Sequence, residues 1–181
     1  MRYAVIDVET TGFSPISDCV VEAACVLVHD RRIVRTWSSL VKPARPIPDY
    51  ATRVHGITDA DVADAPPFER VQHELRALCE GAIVVAHNAK FDLSFLPLIA
   101  PLRHACTLQL ARRCFPNAPN HKNQTLRAYL QIDELLKVHE YPRALAAHRA
   151  LDDALVTAGI LLCCLPAPLE GHEPRTVRKT A

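Results

Sequence analysis

A chain of 181 residues, 49% of them hydrophobic, can bury one full core and is short for two, so a single domain is expected. Its formal net charge of +1 supplies no overall field to draw nucleic acid, a membrane or an acidic partner, so any such binding must rest on local patches. Seven cysteines, odd in number, without a C-x-x-C and mostly in apolar runs, argue against a disulfide framework or zinc site and for buried thiols in a reducing compartment.

The amino terminus enters a strand without a signal-peptide pattern, and the longest apolar run, Ala158 to Leu165, is too short to cross a bilayer. A soluble, cytoplasmic protein with no membrane partner is therefore expected. The first strand covers Tyr3 to Glu9. Because side chains alternate along a strand, Asp7 and Glu9 share one face while Ile6 and Val8 share the other. Two adjacent carboxylates repel each other and are costly to dry unless something positive joins them, for which a hard divalent cation is the natural candidate; the plainer alternative is a solvated strand end.

After Gly12, a turn through Phe13, Ser14 and Pro15 leads to a second strand, Cys19 to His29, whose apolar run is interrupted by Glu22. His29, Asp30 and Arg31 link it to a third strand, Ile33 to Val41, and so short a connection predicts an antiparallel meander. The segment Lys42 to Pro48, with three prolines, ends it. Thr58 and Asp61 have capping-box spacing, which predicts a short helix opening there. Pro66 and Pro67 open another, in which Phe68, Val71, Leu75 and Leu78 form one apolar stripe before Gly81 stops it.

Ile83 to Ala86 reads as a short buried strand ending in His87 and Asn88. Ala89 to Leu96 is predicted helical, with Asp92 in its first turns, and a further helix spans Thr107 to Cys114. Pro116 to Asn123 is a loop, and Leu126 and Leu130 mark one or two more helical turns. The last helix, Leu151 to Leu165, is apolar all round and so buried on both sides. Asp153 points inward at its start, a costly placement unless paired, whereas Asp152 is expected to be solvated or to support it. Residues 166–181 lack periodicity and are predicted to be a flexible basic tail.

Asp7, Glu9, Asp92 and Asp153 together make a set of oxygen ligands, which favours Mg²⁺ or Mn²⁺ over zinc. Four carboxylates suit two ions, and two such ions can neutralise the charge that develops in an in-line phosphodiester displacement, so a nuclease or related phosphoryl-transfer enzyme is expected. Singly, Asp92 is also explained as a first-turn acid favoured by the helix dipole. His148 is too far before Asp153 to share its helical face and so belongs to the loop leading in. There an imidazole can take a proton from an attacking water, a contribution of about 10² to 10⁴ in rate, unless it is simply a surface residue.

Three stretches in order, "VIDVETTG" at 5–12, "AHNAKFD" at 86–92 and "HRALDDA" at 148–154, resemble the motifs of the DnaQ-like, or DEDDh, 3′–5′ exonucleases. "VVEAACV" at 20–26, "VHGIT" at 54–58 and "CTLQLARRCFP" at 106–116 extend the likeness. The resemblance implies a ribonuclease H-like α/β fold over residues 1–165: a central mixed five-stranded sheet, antiparallel meander first, flanked by helices. It further implies that Asp7, Glu9, Asp92 and Asp153 hold two divalent cations, with Asp7 bridging them, that His148 activates the water, and that Asp153 rather than Asp152 is the ligand.

By the same likeness Thr10 and its backbone meet the terminal nucleotide, and His55 and Asn88 lie near the terminal sugar and phosphate. On the residues alone, His55 equally caps a turn and Asn88 equally bonds its own backbone. Arg112, Arg113, Lys122 and Arg149 are candidates for backbone phosphates beside the ordinary role of solvating a face. The expected activity is release of nucleoside 5′-monophosphates from single-stranded or frayed 3′ ends, of DNA ahead of RNA, in repair or proofreading with a polymerase or repair partner. The alternatives are an RNA-trimming or oligoribonucleotide exonuclease and an inactive scaffold of the same fold.

Overall fold

A computed structural model describes residues 1–139, 141 and 145–166, so nearly all of the expected tail lies outside the described residues. The strands β1 (Arg2–Thr10), β2 (Val20–His29) and β3 (Arg32–Leu40) form the expected antiparallel meander. Asp30 and Arg31, both at positive φ (47° and 64°), make the two-residue turn whose twist suits a hairpin. On the other side of β1, β4 (Ile83–Ala86) runs parallel to it, and β5 (His104–Cys106) parallel to β4, giving the order β3-β2-β1-β4-β5. The mixed five-stranded sheet is thus present, with the acid-bearing strand at its centre.

Seven helices are seen among the described residues: α1 (Asp49–His55), α2 (Phe68–Cys79), α3 (Ala89–Phe95), α4 (Thr107–Cys114), α5 (Asn123–Tyr129), α6 (Ile132–Val138) and α7 (Ala150–Cys164). The pleat of β1 divides the core between them. Tyr3 and Val5 join Val156, Ile160 and Leu161 of α7 in one apolar cluster, while Ala4, Ile6 and Val8 join Val71, Leu75, Leu93 and Phe95 of α2 and α3 in another. Because α7 is covered by the sheet on one side and by α4, α5 and α6 on the other, its all-round apolar sequence is fully used. Gly159 permits the close approach of α6: a Cβ there would stand 2.5 Å from Ile132 Cγ2.

The helix expected to open at Thr58 is absent. Asp61 Oδ2 accepts from the Thr58 N–H (2.8 Å) and hydroxyl (2.6 Å), so the capping-box residues close a turn that no helix follows. The helix lies earlier, as α1, and stops at Gly56, whose φ of 75° ends it in the left-handed region. Neither β5 nor α6 was legible as an element. Cys25 and Cys79 are buried as expected, but Cys114 and Cys163 are exposed, and all seven cysteines are free. No helix among the described residues is long and apolar enough to cross a membrane.

Candidate active site

The site forms where β1 runs out between α3 and α7. Pairing of β1 with β2 is regular to Glu9 opposite Glu22, after which Thr10 faces Val20, so β2 carries one extra residue at that point. Such a bulge re-aims side chains and ends regular pairing. Beyond it the loop folds tightly on itself: Thr11 N–H donates to Cys19 O (2.9 Å), and the Asp18 carboxylate accepts from Ser14 N–H (2.9 Å). Gly12 leaves room for that carboxylate, because a Cβ would lie 2.5 Å from Asp18 Oδ2 and displace it.

Asp7 and Glu9 stand on the α7 face of β1, and Asp153, in the first turn of α7, meets them. One carboxylate oxygen from each lies within 4.8 Å of the other two. Asp153 is held from both sides, its Oδ1 accepting from Gln124 Nε2 (2.6 Å) and its Oδ2 from the His148 backbone N–H (3.1 Å). Asp92 is 3% exposed in the first turn of α3. Among the described residues it does not join the 4.8 Å group, yet it is the strongest charged influence on Asp7.

Crowding and burial make these acids reluctant to ionise. Desolvation, followed by repulsion from Asp92, Glu9 and Asp153, raises Asp7 well above the ordinary carboxylate range. Glu9 is pushed up to about 8 by burial and then by Asp153, Glu22 and Asp92. Asp92 rises to about 7, burial outweighing the backbone N–H groups of Asp92 and Val8 that favour its charge. Asp153 is also raised, chiefly by burial. The donor set is all oxygen, partly enclosed and short of positive charge, which suits hard divalent cations.

His148 lies in the turn before α7, exposed and at φ 59°, close enough for its charge to act on Asp153 and on His55. His55 is 4% exposed; its Nδ1 accepts from Ile57 N–H (3.0 Å), and burial holds the ring below the ordinary histidine range against the opposing influence of Glu22 and the Thr10 backbone. The Thr10 hydroxyl donates to Gly12 O (2.6 Å), which leaves its oxygen lone pairs for other donors. Asn88 starts α3 at φ 68° without bonding its own backbone as a cap. It opens with Arg112 and Lys122 onto a cavity of about 570 Å³ that His87, His121 and Asn123 also line.

One expectation is corrected, and of the two alternatives for Asp152 the supporting one holds. Arg149 is not a free cation for phosphate, since its guanidinium grips the Glu22 carboxylate through two hydrogen bonds (3.1 and 2.8 Å). Asp152 is not solvated: it is 5% exposed, and its Oδ2 accepts from Ala146 N–H (2.7 Å), a supporting role. The sequence reading also passed over Gln124, which nothing in its local pattern distinguishes, and His87, which bonds Thr107 Oγ1 (2.9 Å) and His121 O (2.8 Å) to tie β4 to the loop ahead of α5. Glu22 did carry a signal, as a carboxylate inside an apolar strand.

The model of the RNase_T family, described as exonuclease, matches residues 4–161. The "DNA polymerase III subunit epsilon-like protein" of Rhodobacter capsulatus is 38% identical over 179 residues, which cover 92% of this chain and 24% of that protein. The "3′-5′ exonuclease DinG" of Bacillus subtilis is 34% identical over 170 residues, 89% of this chain and 17% of that protein. The chain therefore spans under a quarter of the length of these curated relatives. Among solved structures, exonuclease X in complex with 5′ overhanging duplex DNA superposes with a TM-score of 0.75 at 37% identity, covering 90% of this chain and 89% of that one.

Proposed function

The chain belongs to the DnaQ-like 3′–5′ exonucleases of the RNase_T family, and from that membership we propose that it hydrolyses the terminal phosphodiester at 3′ ends of DNA, releasing nucleoside 5′-monophosphates in repair or proofreading. We place the exonuclease domain at residues 1–165. The observation that carries the reading is the convergence of Asp7, Glu9 and Asp153 within 4.8 Å, with Asp92 buried beside Asp7. Exonucleases of this family use divalent metal ions. Here Asp7, Glu9, Asp92 and Asp153 would hold two, Mg²⁺ or Mn²⁺, which supply positive charge against the phosphodiester as it reacts.

The chain's own groups do the rest. His148, on its exposed turn, accepts a proton from the attacking water as the water oxygen bonds to phosphorus. The bond from phosphorus to the leaving 3′-oxygen breaks, and that oxygen takes its proton from solvent. The Thr10 oxygen and the Asn88 amide are available to the terminal nucleotide, and His55, whose ring lies by the Thr10 backbone, stands beside them. A single-stranded or frayed end suits this arrangement, and kinship with a polymerase III subunit-like protein supports a polymerase or repair partner.

End-labelled DNA strands incubated with the protein and Mg²⁺ or Mn²⁺ should shorten from the 3′ end, and Asp7→Ala or EDTA should stop the shortening. No shortening, or shortening indifferent to Asp7→Ala, would refute the assignment. Faster shortening of a matched RNA strand would move the substrate to RNA.

A further inference from the structure

Glu22 is a buried acid that the reaction above leaves unused. It is 4% exposed and stands directly opposite Glu9 in the β1–β2 ladder, so two carboxylates share the α7 side of the sheet, a cross-strand arrangement that is destabilising unless compensated. Compensation comes from the residues that follow His148. Arg149 donates from Nε to Glu22 Oε2 (3.1 Å) and from Nη2 to Oε1 (2.8 Å), and the Ala150 N–H donates to Oε2 (2.9 Å). The two-pronged bond matches the planar guanidinium to the carboxylate and fixes direction as well as charge.

Those bonds end one residue from a strained position. His148 has φ 59°, a left-handed conformation that is uncommon for residues other than glycine and is held here by the bonds around it. Its N–H is drawn to Asp153 Oδ2 (3.1 Å), and the Ala146 N–H to Asp152 Oδ2 (2.7 Å). The turn is therefore suspended from three carboxylates, and among the described residues Glu22 is the one that hydrogen-bonds to it from the sheet.

We propose that Glu22 is a positioning residue: through Arg149 and the Ala150 N–H it holds the His148 turn in its left-handed form, aiming the imidazole at the space beside Glu9 and Asp153. This rests on the reading of His148 as the proton acceptor. A merely structural Glu22 would tie β2 to α7 without regard to His148, and the two roles separate in a double-mutant cycle on the full chain.

With Mn²⁺ and an end-labelled single strand, Glu22→Gln should lower kcat by about 10- to 100-fold, as expected when a reacting group is displaced by ~1 Å, and leave KM within about 2-fold. In a His148→Ala background the same change should alter kcat by less than about 2-fold, because the group it positions is gone. In the metal-free protein, the His148 ring resonances should shift in Glu22→Gln. Arg149→Lys keeps the charge and loses the fork, so it should reproduce the kcat loss and its dependence on His148, and it decides the matter where Glu22→Gln melts below the assay temperature. Equal losses in both backgrounds, or a rise in KM alone, would overturn the positioning role while leaving the exonuclease assignment intact. An active wild type indifferent to His148→Ala would overturn both the role of His148 and this proposal.

Discussion

Replacing Glu9 with Gln should stabilise the metal-free protein while disabling it. Glu9 is held at about 8 against an ordinary 4.5, first by burial and then by Asp153, Glu22 and Asp92. Across the window from about pH 4.5 to 8 the unfolded chain releases this proton while the folded protein retains it. The wild type therefore loses stability as pH rises through that window, whereas Gln has no proton to lose. At ~1.4 kcal/mol per pH unit the gap is worth roughly 5 kcal/mol, and screening by solvent at this partly exposed side chain reduces it to about 2–3 kcal/mol. For a chain of this size that is a rise of about 5–10 °C in Tm.

Thermal melts in EDTA should show Glu9→Gln above the wild type at pH 8, with the difference vanishing near pH 4. In Mn²⁺ at a thousandfold excess over Kd the order should reverse, because only the intact cage gains binding energy, about 4.1 kcal/mol, which exceeds the advantage of Gln. If the Gln variant melts at or below the wild type at pH 8 in EDTA, the acids do not burden one another and the reasoning for a cation cage fails.

Gly159→Ala should cost about 1–3 kcal/mol in urea unfolding, since its Cβ would meet Ile132 Cγ2 at 2.5 Å, and a companion Ile132→Ala, which removes that methyl, should cost less in the Gly159→Ala background than in the wild type. Gln124→Ala removes the donor 2.6 Å from Asp153 Oδ1 and should weaken Mn²⁺ binding by about 10- to 100-fold in calorimetric titration of the folded chain. His55→Asn can still accept from the Ile57 N–H but lacks the reach of Nε2 toward the Thr10 backbone; KM for the strand should rise up to about 10-fold, the worth of one hydrogen bond.

What the sequence disclosed follows from how local each cause is. The alternation through Ile6, Asp7, Val8 and Glu9 placed two acids on one face, and the same pleat sends their apolar neighbours to α2 and α3. The boundaries of β4 and α4 were read to the residue, β4 because an apolar run with polar ends is a signal within a few positions. By contrast β5 is three residues long and is a strand only because β4 lies beside it. At Thr58 a local pattern misled: the bonds to Asp61 form, but the chain that follows turns away from a helix. Arg149 was misjudged because its partner lies 127 positions earlier, a distance no spacing rule spans. Glu22 announced itself as an anomaly and could be explained only from that same pairing.

The acid-bearing strand is hydrogen-bonded along both edges, to β2 on one side and β4 on the other, and side chains on it reverse direction at every residue. Evolution can therefore exchange one apolar residue for another there at small cost, but the deletion or insertion of a single codon between Tyr3 and Glu9 would rotate both acids into the grease under α2. The reading frame of this short ribbon is inherited as strictly as the residues it carries, and lineages of this protein should accumulate their length changes elsewhere.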